Sequence, residues 1–411
     1  MKVCVIGGGA AGMMCATMIA RKGHEVSLFE KNEKLGKKIY ITGKGRCNVT
    51  NATVGDEFLK NVVGGKKFVM GAVTRFNSKD TMNFFEEVGI PLKIERGNRV
   101  FPESDKSSDI IKGLDRAMSW AGVKVCLNSN VESLIVEESL AKGVVVNGKK
   151  EIFDAVVVAT GGISYPSTGS TGDGYEFAKS VGHSIVEPVQ SLCAIKIKNK
   201  DCYELEGVSL KNVKLTAKVS EKIIYQSDVG EMLFTSNGIS GPIVLSCSSY
   251  VNRQDFSKLK LYLDFKPAIT FDGLCARLDR DIAELKAKQV SSLFEGLLPK
   301  SIVKVFAKRL GLSLTEKANQ LSRENRKAIA ILLKNFDFEP EELEIFNQSV
   351  VTAGGVNLRE VNPKYMKSKL VPNLYFIGEV LDIDALTGGF NLQLAFSTAV
   401  TCASDFKDLK A

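Results

Sequence analysis

Three rhythms of apolar and polar positions divide this chain. At its start an unbroken apolar run, Val3–Ile6, gives way to glycines and then to the Ala- and Met-rich stretch Ala10–Arg21, after which EVSLFE (Glu25–Glu30) is largely apolar again. A buried strand, a turn, a helix and a second strand satisfy that order, which makes a βαβ unit. AVVVAT (Ala155–Thr160) and NLYFIG (Asn373–Gly378) repeat the short apolar pattern of strands covered on both faces of a parallel sheet. From about Ser191 the pattern changes to alternation, as in VSLKNVKLTAKV and LKLYLDF, and predicts short strands. From about Asp272 to Leu333 the period is helical. VVTAGGV (Val350–Val356) then leads back toward the last apolar strand and a closing helix from about Asn391.

The turn after the first strand reads GGGAAG, with Gly7, Gly9 and Gly12 at G-x-G-x-x-G spacing. The first glycine permits a tight turn, the second lets the backbone approach a pyrophosphate, and the third lets the helix pack close to the strand. The helix N-terminus offers unpaired N–H groups and positive partial charge to the phosphates. Glu30, ending the second strand, is placed to accept a hydrogen bond from a ribose hydroxyl. Two returning segments choose the dinucleotide. Thr160-Gly161-Gly162 follows one apolar strand; Gly378-Glu379, Asp382, the Gly388-Gly389 turn and Asn391-Leu392 follow another. An NAD-only dehydrogenase needs neither, so FAD is expected, with Glu379 on the ribityl chain and the closing helix aimed at the edge of the flavin ring that gains negative charge on reduction. No second glycine motif marks a nicotinamide domain, so NAD(P)H is expected as a transient electron donor.

Composition narrows the class. At 411 residues the chain exceeds what one core organises, so several domains are expected. Apolar residues at 44% and charged residues at 25% are ordinary for a globular protein, and no apolar run is long enough to span a bilayer. The nine cysteines are scattered without a CxxC pair, which predicts reduced thiols in a cytoplasmic protein without a structural zinc. Only His24 and His183 are present, so histidine triads and His-based metal sites are not expected, and both histidines read as surface or packing residues. The net charge of +8 concentrates in Lys300, Lys304, Lys308, Arg309, Lys317, Arg323, Arg326 and Lys327, a stretch that keeps an RNA surface in view.

With GGGAAG stand LGKKIYITGKGRCNVTN (Leu35–Asn51), NRVFPESDKSSDI (Asn98–Ile110), ATGGISYPSTGSTGDGY, GEMLFTSNGISGPIVLSCS and GEVLDIDALTGGFNLQ. By these motifs the chain resembles, over nearly its full length, the HI0933-like flavoproteins, also called the YhiN or aminoacetone-oxidase family. The resemblance implies an α/β fold: a discontinuous Rossmann-like FAD-binding domain (residues 1–190 and 351–411) carrying an inserted β-barrel-like part (191–271), an inserted helical part (272–335) and a return strand (336–350). In proteins of this kind the insertion covers the flavin and walls the substrate site. The resemblance also implies hydride transfer at flavin N5, in one of three settings: uridine reduction to dihydrouridine in ribosomal RNA, C=C reduction in bile-acid steroids, or aminoacetone oxidation. The basic stretch tilts the reading toward RNA as partner, with a small-molecule enone next, an amine oxidase third and a non-enzymatic FAD-binding redox sensor kept as the contrasting class.

Two residues are candidate proton donors: Cys47, whose acidity neighbouring Arg46 would influence, and Tyr165 in GGISYP. Lys38 and Arg46 are expected to compensate the FAD diphosphate or an anionic substrate. Asn391 reads as a cap of the closing helix. Ala11, Lys31, Gly45, Asn48 and Val131 complete the expected contacts of a non-covalently held FAD. Packing is the alternative reading of Cys47, the simpler of its two, and of Tyr165, and a solvated loop is that of the basic residues.

Overall fold

The computed structural model describes residues 1–285 and 288–409. It divides into two compact units, Met1–Ser191 with Phe346–Ala411, and Leu192–Ile345.

The first unit is built on a seven-stranded sheet in which five strands, Leu374–Phe376, Ala155–Val158, Lys2–Ile6, Glu25–Phe29 and the edge strand Lys124–Cys126, lie side by side and parallel. Val3, Val5, Val156 and Val157 have no exposed surface, as expected of strands covered on both faces. The helix Ala10–Arg21 follows the first strand at once and packs against the closing helix Phe390–Ala403. Small residues let these two helices approach, and Thr17 and Thr398 satisfy their buried hydroxyls on carbonyls four residues back, Met13 O at 2.9 Å and Leu394 O at 2.8 Å. His24 and His183 are both buried; His24 packs edge-on to Phe406, and His183 edge-on to Phe376. Surface placement, one of the two expectations for them, is thereby excluded.

The second unit carries an eight-stranded antiparallel sheet and the helices Phe271–Leu285, Val290–Glu295, Lys300–Leu310 and Arg323–Lys334. Alternation is clean in Leu259–Asp264, where Leu259, Leu261 and Leu263 point inward. VSLKNVKLTAKV forms a strand, Ser209–Val219, that at 11 residues is longer than expected and whose register shifts between Leu210 and Val213. That bulge lets one long strand pair with three neighbours. The chain leaves this sheet through Phe336–Phe338 and Pro340–Leu343. Among the described residues no helix is long and apolar enough to cross a membrane.

Candidate flavin site

The glycine turn assigns each glycine a different task. Gly7 has φ +107°, and a Cβ there would stand 2.6 Å from the Ala159 carbonyl oxygen, so the turn tolerates only glycine. A Cβ on Gly12 would overlap the Gly7 carbonyl oxygen, which is the close helix-to-strand approach. Gly9, by contrast, has nothing within 4 Å of its would-be Cβ, and it caps the first helix without any side-chain hydrogen bond. Open space beside uncapped N–H groups is what an incoming diphosphate needs. Ala11 is buried in the first turn of that helix, and a Cβ on Gly378 (φ +70°) would come 2.8 Å from the Ala11 Cβ. The returning segment is thereby held against the glycine motif.

Glu30 is buried and already oriented. Its Oε2 accepts from Gly8 N at 2.8 Å, and its Oε1 accepts from Asn32 N at 2.8 Å and Asn32 Nδ2 at 2.6 Å. Ser129 N donates to the Glu30 carbonyl at 2.9 Å, which sets Val131, a buried residue two positions on, beside the same strand end. Lys31 is committed elsewhere, to Asp173 Oδ2 at 2.6 Å and Thr171 Oγ1 at 2.5 Å.

At the other end, residues expected singly come together as one cluster. Lys38 Nζ donates to Glu379 Oε2 at 2.8 Å and to Ser164 Oγ at 2.6 Å; Ser164 Oγ donates to Glu379 Oε1 at 3.1 Å, which also accepts from Thr352 N at 2.8 Å. Thr352 Oγ1 accepts from Ile163 N at 2.9 Å and Ser164 N at 3.0 Å. Four chain segments are thus pinned to one half-buried ion pair. Ser164 and Thr352 escaped the sequence reading because no local pattern announces a partner 188 positions away.

The same cluster fixes the loop that carries Tyr165. This bulky residue sits at φ +51° and ψ +60° directly before Pro166, a left-handed conformation that only surrounding structure can hold. Tyr165 keeps some exposed surface. Cys47 has none: it too is left-handed (φ +57°), and burial pushes its thiol up to about 12 despite a hydrogen bond from Thr42 that works the other way. The expected influence of Arg46 on Cys47 is absent from the causes of that shift. Arg46 instead faces Glu95 Oε1 and Asp105 Oδ1, each at 2.5 Å, and lies 4.2 Å from the Phe101 ring centre. Its charge is balanced within the unit.

Gly389 (φ +97°) caps the closing helix, again without a side-chain hydrogen bond, so the first-turn N–H groups around Asn391 and Leu392 present the positive end of the helix dipole. Asn391 does not cap it. Lying two positions inside, it clasps the preceding loop, accepting from Ala385 N at 2.9 Å and donating to Ala385 O at 2.7 Å. Asp382 N donates to the Val356 carbonyl at 3.3 Å, and Gly45 (φ +84°) and Gly161 (φ +74°) are both left-handed. Four buried side-chain oxygens lack partners among the described residues, Asn48 Oδ1, Thr160 Oγ1, Tyr175 Oη and Thr401 Oγ1, and the first two belong to segments read as cofactor contacts. Unpaired buried polar atoms are costly and mark places where a ligand completes the structure. With the open Gly9 and two uncapped helix N-termini, the unit fits FAD.

The HI0933-like protein Rossmann-domain family matches residues 1–405. The chain belongs to that family. This chain is an FAD-dependent oxidoreductase. It is 30% identical over 408 residues to a ribosomal RNA dihydrouridine synthase of Haemophilus influenzae, covering 97% of this chain and 96% of that one. It is 28% identical over 403 residues to a 3-dehydro-bile acid delta(4,6)-reductase of Clostridium scindens, covering 97% of each. A 3-ketosteroid-delta4-(5alpha)-dehydrogenase from Rhodococcus jostii shares the fold at a TM-score of 0.51 and 14% identity, with 98% of this chain and 96% of that chain covered.

Proposed function

We propose that this HI0933-like protein reduces a conjugated carbon–carbon double bond, with a uridine of ribosomal RNA as substrate and NAD(P)H as the transient electron donor. One observation carries the reading: the full-length relatives described above bear names that describe chemistry on a C=C bond, in uridine or in a steroid. Bound FAD supplies a hydride acceptor and donor at its ring. The chain's residues then do the rest. Gly9 and the first helix hold the diphosphate, Glu30 the ribose, and the Lys38–Glu379 cluster the ribityl region. The bare N-terminus of the closing helix favours negative charge on the ring.

Reduction of uracil places a hydride on C6 and a proton on C5. Of the two candidate acids, Tyr165 retains surface that a substrate can touch, while the Cys47 thiol is enclosed. Tyr165 is therefore the proton donor in this reading, and Cys47 a packing residue. RNA is favoured over a steroid because Lys300, Lys304, Lys308, Lys317, Arg323 and Lys327 are exposed, even though Arg309 is drawn in by Asp201 and Asp337 and Arg326 pairs with Asp279.

The test is an anaerobic incubation of FAD-loaded protein with NADPH or NADH and ribosomal RNA lacking dihydrouridine, mapped for the new base. One modified position is the expected result. Flavin bleaching by NAD(P)H with reoxidation by a steroid dienone and not by RNA would move the assignment to the small-molecule enone.

A further inference from the structure

A three-stranded ribbon of the first unit pins two unmatched arginines to the flavin end. Its hairpin pairs Leu92–Glu95 with Arg99–Pro102, and the short strand Thr50–Asn51 adds to it with Asn51 opposite Arg99. Between the hairpin strands Arg96-Gly97-Asn98 forms the tip, with Gly97 (φ +78°) and Asn98 (φ +57°) both left-handed, as a tight reversal requires. Asn51 is 2% exposed. Its Nδ2 donates to the Gly97 carbonyl at 3.0 Å and to the Gly388 carbonyl at 3.1 Å, and its Oδ1 accepts from Thr53. Gly388 immediately precedes the residue that caps the closing helix, and Gly389 is packed so tightly on Thr50 that a Cβ there would collide with the Thr50 carbonyl. One buried amide thus ties the hairpin tip to the helix N-terminus assigned to the flavin ring.

Charge is distributed unevenly on this ribbon. Arg46 and Lys93 share the carboxylates of Glu95 and Asp105, with Lys93 Nζ 2.6 Å from Asp105 Oδ2. Arg96 and Arg99 are exposed, and neither has a carboxylate within 4.0 Å among the described residues. Arg99 Nε donates to the Arg96 carbonyl at 3.0 Å, which orients its guanidinium and keeps the two residues together, and its guanidinium lies 5.7 Å from the Phe101 ring centre. A merely solvated turn has no need of a buried asparagine on its backbone.

We propose that Arg96 and Arg99 form a phosphodiester clamp that holds the RNA backbone next to the reacting uridine. The proposal rests on the RNA reading above. Guanidinium groups suit it because each offers a planar fork of donors to phosphate oxygens, and a neutral steroid ring system would give two adjacent cations nothing to neutralise.

The experiment measures binding of a uridine-containing single-stranded RNA to FAD-loaded protein across a salt series, for the wild type, R96A/R99A, R96K/R99K and a variant with Lys300, Lys304 and Lys308 changed to alanine. Each phosphate contact contributes a slope of about 0.7 in log affinity against log salt on single strands, so losing two lowers the slope by about 1.4. R96A/R99A is expected to show that drop and a raised KM for RNA with unchanged FAD affinity and unchanged bleaching by NAD(P)H. The lysine pair is expected to restore most of the slope, which a purely structural role for the arginines would not allow. Wild-type binding with an unaltered slope in R96A/R99A overturns the clamp while leaving the RNA reading intact, above all if the Lys300/Lys304/Lys308 variant loses slope instead. If the wild type neither binds RNA at low salt nor forms dihydrouridine, the RNA reading fails and the clamp with it.

Discussion

The two ends of the proposed flavin site are built by opposite means. The diphosphate end is assembled from Gly7 to Glu30, a stretch in which the contacts that matter are made by neighbours in the chain or across adjacent strands. The ribityl end depends on Lys38, Ser164, Thr352 and Glu379, which the fold collects from four segments. At the first end the backbone does the work and side chains must be missing; at the second, side chains do the work and each depends on the others. The comparison teaches that substitution by alanine should be most damaging at one end because it adds an atom and at the other because it removes one.

Gly12→Ala gives the largest effect. Its Cβ would overlap the Gly7 carbonyl, and neither backbone can yield without moving the first helix off the sheet. The expected outcome is loss of FAD binding with a greatly lowered melting temperature. Gly9→Ala separates the two causes: its Cβ meets nothing in the protein, so the apoprotein should melt normally while FAD binds more weakly. Equal damage from both substitutions, read by thermal melting and flavin fluorescence titration, would erase the distinction between packing glycine and ligand-facing glycine.

Thr352→Val comes next and probes the ribityl end. The valine is nearly isosteric, yet the Ile163 and Ser164 amides lose their common acceptor. Leaving a buried donor unsatisfied costs about 1–3 kcal/mol each. The melting temperature should fall accordingly, and FAD affinity should fall with it because the Tyr165 loop is no longer fixed. Thr352→Ser retains the oxygen and should recover most of both. A valine variant that melts lower but binds FAD normally would make the cluster a scaffold and nothing more.

This contrast also explains which parts of the fold and the site are legible in the sequence. The βαβ unit, its glycines and the closing helix were legible because their hydrophobic period and their turn chemistry are local. Lys38 and Glu379 were recognised as charged residues of the site, but not as partners, since 341 positions separate them and single-sequence pattern carries no pairing information. Asn391 was read as a cap from its place near a helix start; the true cap, Gly389, has no side chain to betray it. Asn51 carries no signal in the sequence, because a buried asparagine bridging two turns leaves no periodic trace. Arg46 looked free because its acids, Glu95 and Asp105, lie 49 and 59 positions on.

Remoteness alone does not make a cofactor site, and His183 supplies the smallest and most selective check. Its side chain is fully enclosed, with Nε2 2.7 Å from Ser368 Oγ and Nδ1 3.2 Å from Glu360 Oε2, 177 positions away. Burial lowers its pKa below 6.5, and the opposing pull of Glu360 does not cancel that effect. The sign follows from proton uptake: below 6.5 the unfolded chain binds a proton that the folded state resists, so stability is full above that pH and declines as pH falls toward the lower folded value. Glu360, whose burial is outweighed by hydrogen bonds from Ser184 and by His183, lies below 4.5 and adds its own loss only in stronger acid. Between these limits the melting temperature should slope downward with acidification, His183→Gln should flatten that slope, and FAD affinity should be unchanged by the substitution. A change in FAD affinity as large as that of Thr352→Val would mean that long-range hydrogen bonds throughout this unit, and not the Lys38–Glu379 cluster in particular, set the geometry of the flavin site.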